Sequence, residues 1–273
     1  MESIFLILAT ICYALGTVGY LVYLFREQDG VHRTAWTFLL AGAVLHGGAI
    51  VLRSVDRGHL AVTGSSEALS FFSWLLVVVY LIIQGRIGLR ILGTFVSPLA
   101  VVFMLASRIL PETILPSNAI LRSTWVTIHV ISLFSANALF AVAFCTAVMY
   151  LLQEREIKQK RFGLFFSRLP SLDRLDRIGR FCLLAGFPLM TAGLVTGFIY
   201  ANSVWRSPWN WDPKEIFALI TWCIYAVLLH ERLAVGWRGR KAAWLAIFGF
   251  SAVLVTFLGV NLVFKGHHTV FIR

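Results

Sequence analysis

Apolar residues run in long blocks along almost the whole chain, separated by short polar segments. Most blocks reach the ~20 residues that a bilayer core demands of a spanning helix. The pattern predicts eight spanning helices, at about 3–25, 34–52, 67–84, 88–108, 123–152, 178–201, 214–233 and 242–264. The first block carries Glu2, lacks a basic leader and is too long for a signal h-region, so it reads as a span rather than a cleaved signal. The longest connection, 154–177, is charged and holds Phe162, Phe165 and Phe166, a patch suited to the membrane interface. No internal repeat and no soluble domain is evident. The expectation is an all-α integral membrane protein with one polytopic domain over 1–273.

Composition agrees with that class. The chain is 59% hydrophobic and 14% charged, with a mean hydropathy of +0.81, which excludes an ordinary soluble domain. The net charge of +11 sets orientation. Sixteen of the 24 Lys and Arg lie in or beside the loops after the first, third, fifth and seventh spans. By the positive-inside rule those loops are cytoplasmic, so both termini face outward. Nucleic-acid binding does not follow from such a charge. Cys12, Cys145, Cys182 and Cys223 lie in apolar runs at no motif spacing and read as small core residues. There is no Cys-x-x-Cys for thiol–disulfide chemistry, and no Cys-x-x-Cys-His that would make the chain itself a c-type cytochrome.

One stretch stands out from this background: Trp205-Arg-Ser-Pro-Trp209-Asn-Trp211-Asp212-Pro213-Lys214-Glu215. Asp212 suits an N-cap, Pro213 the first helical position, and Glu215 the reciprocal place of a capping box. Three tryptophans therefore sit just before a spanning helix, at about 202–215, on the expected outer face. Tryptophan belts occur at any bilayer interface. A belt needs no sequence order, however, and here the order is tight.

The stretch resembles the tryptophan-rich WWD signature of the heme-handling proteins of cytochrome c biogenesis, the CcsA/ResC, CcmC and CcmF group. Arg206 stands where that pattern has Gly. Gly197-Phe-Ile-Tyr-Ala201-Asn202 is similar to the family's lead-in. Leu45-His46, Val51-Leu-Arg53, Arg57-Gly58-His59, Ser66-Glu67-Ala68-Leu69 and Phe72-Ser73-Trp74 resemble the CcsA branch.

The seven histidines gain meaning in this setting. A histidine inside a span is a functional candidate by default, whereas at a helix end or in a loop, as with His32 and His59, it is more often an ordinary polar side chain. His129, near the outer end of the fifth span, and His267 and His268, after the last, flank the Trp-rich loop on one surface. Neutral imidazole is a standard axial ligand of heme iron, and an aromatic platform between two imidazoles suits a flat porphyrin.

The resemblance implies roles residue by residue. His129 matches the first external heme ligand and His268 the second, with His267 as the alternative. His230 matches the histidine of the helix after the WWD loop, whose partner in the family comes from a second protein. Trp205, Trp209, Trp211 and Asp212 belong to the heme-binding stretch, although Asp212 and Glu67 read by themselves as helix caps. His46 lies ~10 Å in depth from His230, too far to share one iron in straight helices; packing in the bundle or a propionate contact are its alternatives. Arg53, Arg57, Arg122, Arg206 and Lys214 are either solvated charges or propionate partners.

The implied function is handling and export of heme b and its attachment to apocytochrome c at Cys-x-x-Cys-His. That would be the role of a cytochrome c heme lyase or synthase subunit in the bacterial cytoplasmic (inner) membrane. It would work with a CcsB/ResB-type membrane protein and a thiol reductant protein. A HemX-type membrane regulator of heme biosynthesis and a b-type electron-transfer cytochrome are the rival expectations.

Overall fold

The computed structural model describes residues 2–111, 121–160, 163–207, 209 and 211–256, without the side chains of Ser203 and Trp205. Among them every regular element is helical: α1 (Glu2–Arg26), α2 (Asp29–Arg57), α3 (Ser65–Ile87), α4 (Gly93–Ile109), α5 (Thr124–Lys158), α6 (Leu164–Arg168), α7 (Leu172–Trp205), α8 (Pro213–Leu233) and α9 (Arg240–Leu254). Among the described residues seven helices are long and apolar enough to cross a membrane: α1, α2, α3, Arg90–Ile109, α5, Leu172–Asn202 and α8. The eighth expected span, 242–264, begins as α9, and its remainder lies outside the described residues.

Several helices outrun the spans expected from hydropathy. α2 starts at Asp29 rather than 34, α5 continues to Lys158 rather than 152, and α7 starts at Leu172 rather than 178. Hydropathy ends where polarity begins, but helical hydrogen bonding continues into the polar layer. There i,i+4 pairs such as Glu154–Lys158 and Asp173–Arg177 support it. The expected interfacial Phe patch is partly described: Phe165 and Phe166 lie on the short α6, while Phe162 lies outside the described residues.

The chain divides into two compact units, Met1–Arg122 and Ser123–Arg273. In the first, α1 and α2 pack antiparallel through glycines. A Cβ at Gly16 would lie 2.8 Å from the Leu39 side chain, one at Gly19 2.8 Å from Ala35, and one at Gly42 2.7 Å from Tyr13. Such close approach is how helices gain contact where no hydrophobic effect drives them together. α3 and α4 pair through Ser66 Oγ donating to Ser107 O (2.7 Å) and Ser73 Oγ to Ala100 O (2.8 Å). Tyr13, Tyr20, Leu39, Leu76, Tyr80, Leu92 and Met104 fill the interior.

In the second unit α7 presents a glycine every seventh residue to α5. Thr146 faces Gly179, Phe140 faces Gly186 and Leu133 faces Gly193, each within 3.0 Å of where a Cβ would stand. α8 closes on this pair through Tyr225, whose ring stacks on Phe140 at 3.6 Å between centroids and 11° between planes. α9 adds Phe250 against Phe144 (5.0 Å) and Gly249 against Tyr225. At the far end of α8, Arg232 pairs with Asp176 of α7, and Gly239 N donates to the same Oδ1 at 3.3 Å.

Candidate functional site

The Trp-rich stretch is shaped by its two helix ends. Asp212 has extended dihedrals (φ −66°, ψ 138°) and caps α8, its Oδ1 accepting from Lys214 N at 2.8 Å. Glu215 Oε2 accepts in return from Asp212 N at 3.3 Å, and Pro213 takes the first helical position, where no amide is needed. The expected capping box is present, and the carboxylate of Asp212 is buried by it at 2% residue exposure. At the other end Arg206 terminates α7 in the left-handed conformation (φ 56°, ψ 20°), which favours glycine. Trp211 is also left-handed, at φ 57°.

Between these ends Ser207 Oγ donates to Trp209 O (2.7 Å) and accepts from Trp209 N (3.4 Å). Trp209 is half-buried against Phe198 of α7, 5.9 Å between centroids. Trp211 meets Trp209 edge-on (5.7 Å, 85°) and is 75% exposed. A large apolar ring so exposed is available to a flat ligand, to lipid or to a protein. Trp205 is the last residue of α7.

His129 belongs to the same unit. Its Nδ1 donates to Gly193 O of α7 at 2.7 Å, which puts the lone pair on Nε2, the nitrogen that can ligate a metal. A backbone carbonyl on the far nitrogen is the usual support of a ligating histidine. One turn further along α7, Gly197 leaves room for the ring: a Cβ there would lie 2.6 Å from Cε1. The next residue, Phe198, is the one that meets Trp209. A single turn of α7 thus touches both the histidine and the tryptophan loop. Gly193, Gly197 and Phe198 are site residues that the sequence reading did not single out by role, apart from the lead-in beginning at Gly197.

The other expected residues are placed as follows. His230 is exposed on α8, off the face that buries Thr221, Tyr225, Leu228 and Arg232. Lys214 is half-buried in the first turn of α8 and Arg206 is exposed. His267 and His268 lie outside the described residues. His46 is fully buried in the first unit, with Nδ1 3.3 Å from Tyr13 Oη and Nε2 2.8 Å from Ser70 Oγ, so both nitrogens have partners in the bundle. Arg53 and Arg57 share Glu67, and Arg53 also pairs with Glu2. Glu67 caps α3, its Oε2 accepting from Thr63 N (3.0 Å) and Gly64 N (3.4 Å). Arg122 lies over Gly58.

The fold and these residues define a polytopic helical membrane protein with an exposed aromatic loop joined through one helix turn to an oriented imidazole. The chain belongs to the family described as cytochrome C assembly protein, whose model matches residues 62–268. It is 30% identical over 269 residues to the cytochrome c biogenesis protein CcsA of Synechococcus sp. (strain RCC307), covering 89% of this chain and 86% of that protein. It is 30% identical over 236 residues to CcsA of Guillardia theta, with 80% and 78% covered. It is 32% identical over 249 residues to CcsA of Prochlorococcus marinus (strain NATL1A), with 81% and 79% covered. Among solved structures the fold is similar to that of the cytochrome c heme lyase CcmF, with a TM-score of 0.64 at 15% identity. That match covers 98% of this chain and 47% of the other, so this chain spans less than half of that lyase's length.

Proposed function

We propose that this chain presents heme b to apocytochrome c, with His129 as one axial ligand and the Trp209–Trp211 loop as the surface on which the porphyrin lies. The observation that carries the reading is the His129 Nδ1–Gly193 O bond, which fixes the tautomer a ligand needs. The aromatic loop is tied to that histidine through Gly197 and Phe198. His268, or His267 one residue earlier, supplies the second axial imidazole. Heme is the cargo here. Each Cys thiol of a Cys-x-x-Cys-His segment adds across a heme vinyl, sulfur to one carbon and hydrogen to the other, and no electron is gained or lost overall.

The protein's own share is positioning. His129 holds the iron while the substrate histidine replaces one ligand, and the tryptophans keep the ring plane fixed and dry. Lys214, in the first turn of α8, is the basic group that would pair with a propionate, and Arg206 shapes the backbone of the loop. His230, exposed on α8, faces away from the buried side of its unit, which suits a ligand completed by a second membrane protein of the CcsB/ResB type. The outer face of a bacterial cytoplasmic membrane is the side for the loop, by the distribution of Lys and Arg. Reduced heme and reduced substrate thiols come from other proteins.

The test is the absorption spectrum and heme content of the purified full chain, alone and with a CcsB-type partner. His129→Gly should lose the six-coordinate spectrum and regain it when imidazole is added. An unchanged spectrum and heme content would refute the ligand assignment.

A further inference from the structure

The first unit contains a seam of polar side chains separate from the His129 and tryptophan residues proposed to hold heme. At one end stands the Glu2–Arg53–Glu67–Arg57 cluster. One turn along α3, Ser70 bonds His46, and His46 bonds Tyr13. Further along, Tyr80 Oη donates to Tyr20 Oη at 2.6 Å. Beyond them Gln84 Nε2 donates to His32 Nε2 at 3.2 Å, close to the Asp29–Arg90 pair at the other end. All of these lie within one unit.

The seam has a gap between Tyr13 and Tyr20, seven residues or ~10 Å apart along α1. Two buried hydroxyls fall in it. Thr17 of α1 is 9% exposed and Ser97 of α4 is fully buried, and neither hydroxyl has a hydrogen-bond partner among the described residues. They are neighbours by register. Thr94 Oγ1 donates to Tyr20 O at 3.1 Å; α1 and α4 run antiparallel, so three residues on from Thr94 and three back from Tyr20 come Ser97 and Thr17. Two orphan hydroxyls facing one level of a bundle are the surroundings in which buried water is found. A third orphan, Gln84 Oε1, lies beyond the Tyr20–Tyr80 pair beside His32. A buried hydroxyl or amide oxygen left without a partner is unfavourable, which favours water at each.

We propose that water bridges Thr17 and Ser97, and again Gln84, and completes a hydrogen-bonded chain along which the first unit carries protons between its Glu67 end and its Asp29 end. His46 has the geometry of a carrier, because each ring nitrogen already has a hydroxyl partner. A proton taken at one nitrogen is matched by one released from the other, so the ring's proton count returns to its start after a tautomer change. Tyr13, water, Thr17, Ser97, the Tyr20–Tyr80 pair and the water at Gln84 each pass one proton on as they accept one, and that last water releases it at the end marked by the Asp29–Arg90 pair. The proposal does not depend on the heme reading.

The experiment uses the full chain in liposomes holding a pH-sensitive dye, with a potassium gradient and valinomycin to impose a potential. Proton flux above that of protein-free vesicles is expected. Thr17→Val and Ser97→Ala, which keep helix and shape while removing the hydroxyls, should each reduce it, and the double variant should abolish it. Thr17→Ser, which keeps the hydroxyl, should conduct like the parent. Parent flux no greater than that of empty vesicles would overturn the proposal. So would a folded double variant that conducts like the parent.

Discussion

Gly197 and His129 are in contact: a Cβ on Gly197 would sit 2.6 Å from Cε1 and 2.7 Å from Nδ1 of the histidine ring. Both distances are shorter than side chains tolerate, and the same Nδ1 is held by Gly193 O at 2.7 Å. Gly197→Ala should therefore push His129 off its carbonyl and lower heme retention, although the alanine adds no charge and favours the helix. Gly48→Ala, at a position with nothing within 4 Å, should leave heme content unchanged and stabilise by about 0.5–1 kcal/mol. Heme-to-protein ratio and melting temperature of the two variants check this pair. Equal heme content in both would show that the contact does not govern the ligand.

This relationship also marks where sequence reading ends. The Asp212–Glu215 capping box and the proline between them were legible, because capping is local and its residues are three apart. So were most spans, because apolar length is a property of one segment. The α7 glycines at 179, 186 and 193 were not legible as a seam, since a glycine announces no partner until Thr146, Phe140 and Leu133 stand opposite it. The polar line through Tyr13, His46, Tyr20 and Tyr80 was equally hidden. Each residue sits alone in an apolar run, and only the packing of three helices aligns them. His129 and the tryptophans were picked out as neighbours on one surface, but the turn of α7 that links them was not.

Arg206 separates backbone from charge. Its left-handed φ of 56° costs a non-glycine residue about 1–2 kcal/mol. Arg206→Gly removes that strain and should raise thermal stability by up to roughly 1 kcal/mol. Heme retention should survive the change, because the loop geometry is kept. A drop in heme retention in Arg206→Gly that Arg206→Lys repairs would instead assign the guanidinium to a propionate.

Asp212 can be divided in the same way. Asp212→Ala removes the acceptor of Lys214 N and should destabilise the start of α8 by about 1 kcal/mol. Asp212→Asn keeps a side-chain oxygen in that place and should restore both stability and heme loading. Thermal unfolding and heme content, measured on both variants, decide between a cap and a carboxylate that acts on the ligand. Loss of heme in the Asn variant with normal stability would favour the second.

Glu67 is 3% exposed and holds two arginines whose side chains are only 16% and 15% exposed. Glu67→Ala leaves Arg57 without its carboxylate, leaves Arg53 its pair with Glu2, and uncaps α3. A loss on the order of 3–5 kcal/mol follows from such uncompensated charge. Glu67→Gln should be milder, since it still accepts from the Thr63 and Gly64 amides. Limited proteolysis in the 58–64 segment should rise in the order parent, Gln, Ala. No change in either variant would mean that the cluster does not anchor this end of the unit.

His230 and His129 give the most discriminating test, because they lie on different helices of one unit and far apart in depth. His230 is 17 residues beyond Pro213 in α8, ~25 Å along the axis from the Trp-rich end. One heme cannot reach both histidines at once. If both bind it, there are two sites or one heme that moves. His230 is exposed while His129 is held by Gly193 O, so the first is open to a ligand from a partner and the second is preset. Heme supplied from the His230 side should load there first. His230→Ala should then empty the His129 site as well, although nothing near His129 has changed, whereas His129→Ala should leave heme at His230. The measurement is heme content and spectrum of each variant purified together with a CcsB-type partner, from cells that make heme only internally. Full loading at His129 in His230→Ala would rule out passage by way of His230 and leave the His129 site to be filled by another route.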